Sequence, residues 1–103
     1  MHGKDTADLG VAFLVAIMSA TVGRNIKAGL VTLGQMSIHG VLSRIENLGD
    51  ALRVAAEAGG RHVLIPTVNA ADLGAMPSEL LDKVRIDFYS DPAQAVFKAL
   101  ADG

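Results

Sequence analysis

Two stretches of the chain are apolar in different ways. From Leu9 to Val22 no charged residue occurs and nearly every position is hydrophobic, which predicts a helix apolar on almost every face. Asp8 is placed to cap it and Gly23 to stop it. Such a helix must be covered on all sides, so it is read as fully buried, with other subunits or further chain supplying part of the cover. From Asn47 or Glu46 to Ala58, by contrast, Leu48, Leu52, Ala55 and Ala56 recur on one side between charged residues. This predicts an amphipathic helix ended by Gly59-Gly60.

Shorter runs fill the intervals. Ala28 to Leu33 reads as a strand ending at Gly34, and Met36-Ser37-Ile38 and Val41-Leu42 flank a tight turn at His39-Gly40, so a hairpin follows. His62 to Ile65 reads as a buried strand stopped by Pro66, Asn69 to Leu73 as a short helix, and Pro77 opens another through Leu81 or Asp82. Val84, Ile86 and Phe88 alternate in a strand from Val84 to Tyr89, and Asp91-Pro92 starts a last helix reaching Leu100. Alternating helices and strands give an α/β class with parallel pairings, α+β being the alternative: a small mixed sheet with a hairpin and flanking helices. Met1 to Ala7 is polar and irregular and reads as a lead-in joined to a cut, leaving residues 8–103 as the folded part of a larger protein.

Composition narrows the chemistry. The 103 residues suit one core, and half of them are hydrophobic. Formal net charge is −2 and the cations are scattered along the sequence, so direct nucleic-acid binding by this piece is not expected. The absence of cysteine excludes a thiolate metal site and a cysteine nucleophile. His2, His39 and His62 show no ligand spacing, so no metal is expected. Leu9 to Gly23 is too short to cross a bilayer and lacks the flanks of a signal peptide. No membrane association is therefore expected, and the location is read as cytoplasmic.

Several strings in order resemble the proteolytic domain of the Lon family of ATP-dependent proteases. They are Gly34-Gln35-Met36-Ser37-Ile38-His39-Gly40, Leu48 with its helix to Gly59, Val63-Leu64-Ile65-Pro66, then Asn69, Asp72, Leu73 and Pro77. The likeness runs from Asp5 to the end and covers the C-terminal half or so of that domain. The tail from Asp87 to Leu100 looks closer to one branch, the Lon-like ATPase proteins of the BREX type of bacterial phage defence. The resemblance implies a ring-forming ATPase module elsewhere in the same chain, with ATP and Mg bound there and no cofactor in this piece. It also implies a homo-oligomer, with a hexameric ring expected for the full-length protein.

Lon-type peptidases are expected to use a serine nucleophile and a lysine base, and each needs the other. A serine hydroxyl attacks only when a base takes its proton, and a lysine is that base only when burial leaves it neutral. The family pattern places the nucleophile on Asp8 and the base on Ala51, 43 positions apart without a gap. A neighbouring family threonine falls on Leu33. The resemblance therefore implies a peptidase fold without its dyad, and no catalytic residue is expected. A carboxylate at a helix start is stabilised by the helix dipole by about 0.3–1 kcal/mol and stays ionised, and a methyl group moves no proton.

The alternative is an active serine endopeptidase with a relocated nucleophile. Its hydroxyls would be Thr6, Ser19, Ser37 or Ser43 and its amines Lys4 or Lys27, although hairpin hydroxyls usually pair with backbone and Lys27 sits in a solvated loop. His39 reads as an exposed turn residue and His62 as a residue at a strand boundary. Gly59-Gly60-Arg61 follows a helix rather than opening one, so it is not a phosphate loop. Glu46 and Asp50 read as favourable charge at a helix start.

Overall fold

The computed structural model describes residues 8–101; the lead-in Met1 to Ala7, with Lys4 and Thr6, lies outside the described residues, as do the side chains of residues 8 and 9. The elements are β1 (Asp8–Gly10), α1 (Val11–Val22), β2 (Leu30–Thr32), β3 (Gln35–Ser37), β4 (Leu42–Ser43), α2 (Leu48–Glu57) and β5 (His62–Pro66). A 3₁₀ stretch (Thr67–Ala75), α3 (Ser78–Lys83), β6 (Arg85–Tyr89) and α4 (Pro92–Ala99) complete the order. The strands form two three-stranded sheets. One is antiparallel in the order β1-β3-β4, and the other is parallel in the order β2-β5-β6. The α/β class, the hairpin and the flanking helices are as the sequence predicts.

β5 is the centre of the parallel sheet, and its alternation assigns the two faces. Val63 and Ile65 pack with Leu48, Leu52 and Ala55 of α2. Leu64 and Tyr89 pack with Val11 and Val15 of α1 and with Ala95 and Ala99 of α4. Pro66 ends β5 with no exposed surface, at the sheet end, where its missing N–H donor costs least.

Local signals fixed most boundaries. Gly23 closes α1 in the left-handed region at φ 74°, where a side chain would be strained. Asp91 caps α4, its Oδ1 accepting from the Gln94 N–H at 2.8 Å, with Pro92 in the first turn.

Three expectations are corrected. Asp8 does not occupy the N-cap of the first helix: Gly10 does, without a side-chain cap, because Asp8–Gly10 pairs as a strand with Gln35–Ser37 and delays the helix to Val11. The helix itself is not fully buried. Val11 and Val15 are, but Phe13 is 59% and Ile17 45% exposed, because α4 and the sheet cover only one side of it. The segment after Pro66 is a nine-residue 3₁₀ stretch, Thr67–Ala75, rather than a short helix confined to Asn69 to Leu73.

Candidate functional site

A cavity of about 660 Å³ opens at the carboxyl end of β2, between it and the β3-β4 hairpin. Gly10 at the start of α1, Thr32 at the end of β2, Leu33 and Gly34 just beyond it, Ser43 of β4 and Ala51 of α2 are among its walls. The fold thus brings Leu33 and Ala51 to one place, together with Gly10, two residues after Asp8. These are the neighbourhoods of the three positions that the resemblance selects.

Each wall is fixed by an identifiable interaction. Gly34 has φ 129°, and a Cβ there would collide with the Tyr89 hydroxyl and press on Pro66, so only glycine fits. The fully buried Tyr89 donates its O–H to the Leu33 carbonyl at 2.6 Å, and the Gly34 carbonyl accepts the N–H of Val11. One point therefore ties the end of β2, the end of β6 and the beginning of α1. Burial pushes the Tyr89 phenol well above its ordinary pKa.

The opposite wall, Ser43 to Asn47, is held by Asn69. This fully buried side chain accepts from the Ile45 N–H at 2.9 Å and donates to the Ile45 carbonyl at 2.9 Å, as a neighbouring strand would. Its amide also donates to Asp72 at 2.7 Å, and Asp72 pairs with Arg44 of the same wall. The Arg44 guanidinium, then the Asn69 amide, hold the Asp72 carboxyl below its usual range. The sequence singled out Asn69 and Asp72 as part of a pattern but gave them no task. A polar residue in a polar loop carries no local sign of a partner 24 positions away.

The other candidates are dispersed. Ser19 donates to the Arg24 carbonyl, while Ser37 accepts from the N–H groups of His39 and Val41 at 3.2 Å each. Ser43 is the relocated-nucleophile candidate that reaches the cavity, and no lysine lines it among the described residues. Lys27 is exposed beside Ala99, whose carbonyl accepts its backbone N–H. His39 is exposed at the hairpin turn. His62 lies 3.7 Å from Asp87, which Lys98 approaches at 3.4 Å. Burial opposes ionisation of Asp87, but the Phe88 N–H and Lys98 outweigh it and keep the carboxyl below its ordinary pKa.

The Gly59-Gly60-Arg61 turn is not built as a phosphate loop. The N–H groups of Gly59, Gly60 and Arg61 already donate to the carbonyls of Ala56, Ala55 and Gly29, leaving none to converge on an anion. Glu46 is exposed at the cavity rim, and Asp50 in the first turn of α2 pairs with Arg53 at 3.1 Å.

The family model of the Lon protease (S16) C-terminal proteolytic domain matches residues 2–102, and the mixed fold of a small parallel sheet, an antiparallel hairpin and flanking helices is the fold of this chain's match to it. The chain belongs to this family. Within it, the chain is similar to the Lon-like protease BrxL of Bacillus cereus (strain H3081.97), with 36% identity over 97% of this chain and 15% of that protein. The Lon-like protease BrxL of Escherichia coli O9:H4 (strain HS) is 37% identical over 95% of the chain and 14% of its own length. Lon protease 2 of Sorangium cellulosum (strain So ce56) is 32% identical over 86% of the chain and 11% of its own length. The chain therefore spans only a small part of these relatives. Among the described residues no helix is long and apolar enough to cross a membrane.

Proposed function

We propose that this chain is the Lon-like C-terminal domain of an ATP-dependent machine, that it does not cleave peptides, and that it acts in oligomeric assembly and partner docking. The observation that carries this reading is the cavity wall at Ala51. A methyl group lines the place where the family pattern puts an amine, and no lysine among the described lining residues replaces it. Leu33, where the pattern has a threonine, lines the same cavity. A hydroxyl there would have no neutral amine to take its proton. The relatives named BrxL extend the reading to phage defence of the BREX type, in the cytoplasm, with ATP and Mg on an ATPase module outside this chain and a hexameric ring as the assembled form.

The test uses the full-length protein. Deleting residues 28–103 is expected to abolish ring assembly, and serine-protease inhibitors are expected to leave activity unchanged. Rings that persist after the deletion overturn the assembly role. The competing reading, an active serine endopeptidase, rests on Ser43, which does line the cavity. Labelling of Ser43 by a fluorophosphonate probe, together with casein cleavage lost in Ser43→Ala, would replace the non-cleaving reading.

A further inference from the structure

Among the described residues the parallel sheet ends in two edge strands, β2 and β6. An edge strand offers unpaired N–H and C=O groups to any extended chain, and folds blunt such edges with very short strands or with charged side chains. β2 is three residues long, whereas β6 runs for five and carries Ile86, Phe88 and Tyr89, residue types that favour strands. The Arg85 N–H donates to the Arg61 carbonyl at 2.7 Å, so Arg85, Asp87 and Tyr89 turn their peptide groups to β5. Ile86 and Phe88 turn theirs to the open edge, because the bonding direction alternates along the strand. At Phe88 both outward groups are already taken. Its N–H donates to Asp87 Oδ1 at 2.9 Å, and its carbonyl accepts from Lys98 Nζ at 2.6 Å. Lys98 reaches there from the last turn of α4 and also lies 3.4 Å from Asp87 Oδ1, so the two side chains close on one residue. His62 shows what this placement costs. Its Nε2 is buried without a hydrogen-bond partner among the described residues and stands 3.7 Å from Asp87 Oδ2, too far for a hydrogen bond. Asp87 thus serves the strand edge and leaves a buried nitrogen unpaired.

We infer that Asp87 and Lys98 form a plug that closes the β6 edge to strand pairing with the β6 edge of a second copy. The inference is independent of the assembly and non-cleaving readings. A second copy is the chain to be kept out, because every molecule carries the same edge and two such strands can pair antiparallel about a two-fold axis. Pairing requires the Phe88 N–H and carbonyl to bond across the new interface. The carboxylate and the ammonium hold both, and charged groups at the edge lose hydration if a second strand covers them.

Lys98 also sits where a cation complements the dipole of α4, a role to which the Phe88 amide is indifferent. Hydrogen exchange read residue by residue with mass spectrometry on the full-length protein separates the two. The Phe88 amide is expected to exchange at least about tenfold more slowly than the Ile86 amide, a ratio that a hydrogen bond to a charged group supports, although both face the open edge. Asp87→Ala is expected to remove that difference. Adding Lys98→Met frees the carbonyl as well and is expected to produce thioflavin-positive growth beyond the wild-type size, in which the Ile86 and Phe88 amides become protected together. Equal exchange of the two amides in the wild-type protein overturns the plug, and this comparison needs no variant to fold. A doubly substituted protein that stays at the wild-type size, or that grows while Ile86 and Phe88 still exchange freely, overturns the strand-pairing role.

Discussion

The two faces of the parallel sheet are covered by helices of opposite character. On one face α2 buries Leu48, Leu52 and Ala55 and turns Asp50, Arg53 and Glu57 outward, so its pattern is complete in the chain as it stands. On the other face α1 buries Val11 and Val15 but turns Phe13 and Ile17 outward with no charge between them, and Phe97 of the neighbouring α4 is 85% exposed. A helix with one polar side is suited to water; a helix with none is suited to an interior. The α2 side is therefore a finished surface, whereas the α1 side is the side for which cover from outside is expected.

Deleting side-chain atoms on the two faces measures the difference. Leu52→Ala removes a fully buried side chain and is expected to cost about 2–5 kcal/mol of unfolding free energy in urea titration. Asn69→Ala should follow with about 1–3 kcal/mol, because it leaves the Ile45 N–H and carbonyl without their partner. Acid acts on the same side of the molecule. Asp72 titrates below its unfolded-state value, so the stability it contributes is present above pH ~4 and lost as pH falls through its folded pKa. Asp72→Asn should flatten that acid limb in thermal unfolding measured across pH. Ile17→Ala, though it removes as many atoms as Ile→Ala does anywhere, should change stability by only about 0.5 kcal/mol in this chain alone. An Ile17→Ala cost equal to that of Leu52→Ala would erase the distinction between the faces. In the full-length protein a large Ile17→Ala effect would sharpen it, by showing that this side has gained its cover.

What the sequence disclosed and what it hid divide along the same physical line. The α2 face, the stop at Gly59, the hairpin turn at Gly40 and the Asp91 cap are each written within a few residues, so periodicity and turn chemistry reveal them. β1 is three residues long and exists through its pairing with β3. No local signal announces such a strand, so the sequence pattern points to Asp8 as the cap rather than to Gly10. In the candidate site, the meeting of Leu33 and Ala51 was legible only through family spacing. The Asn69 bridge to Ile45 and the Tyr89 bond to Leu33 span 24 and 56 positions, and neither side chain looks unusual in its own neighbourhood.

Tyr89 makes the chain its own optical probe. It is the sole tyrosine and there is no tryptophan, so phenolate absorbance in alkali comes from one ring. An unfolded tyrosine ionises near pH ~10, whereas the latched ring resists until much higher. The native chain's advantage from this proton is full below pH ~10 and drains away as pH climbs from there through the folded ring's own pKa. The absorbance should thus rise in step with loss of helical circular dichroism rather than ahead of it, reporting in real time when the floor of the cavity gives way.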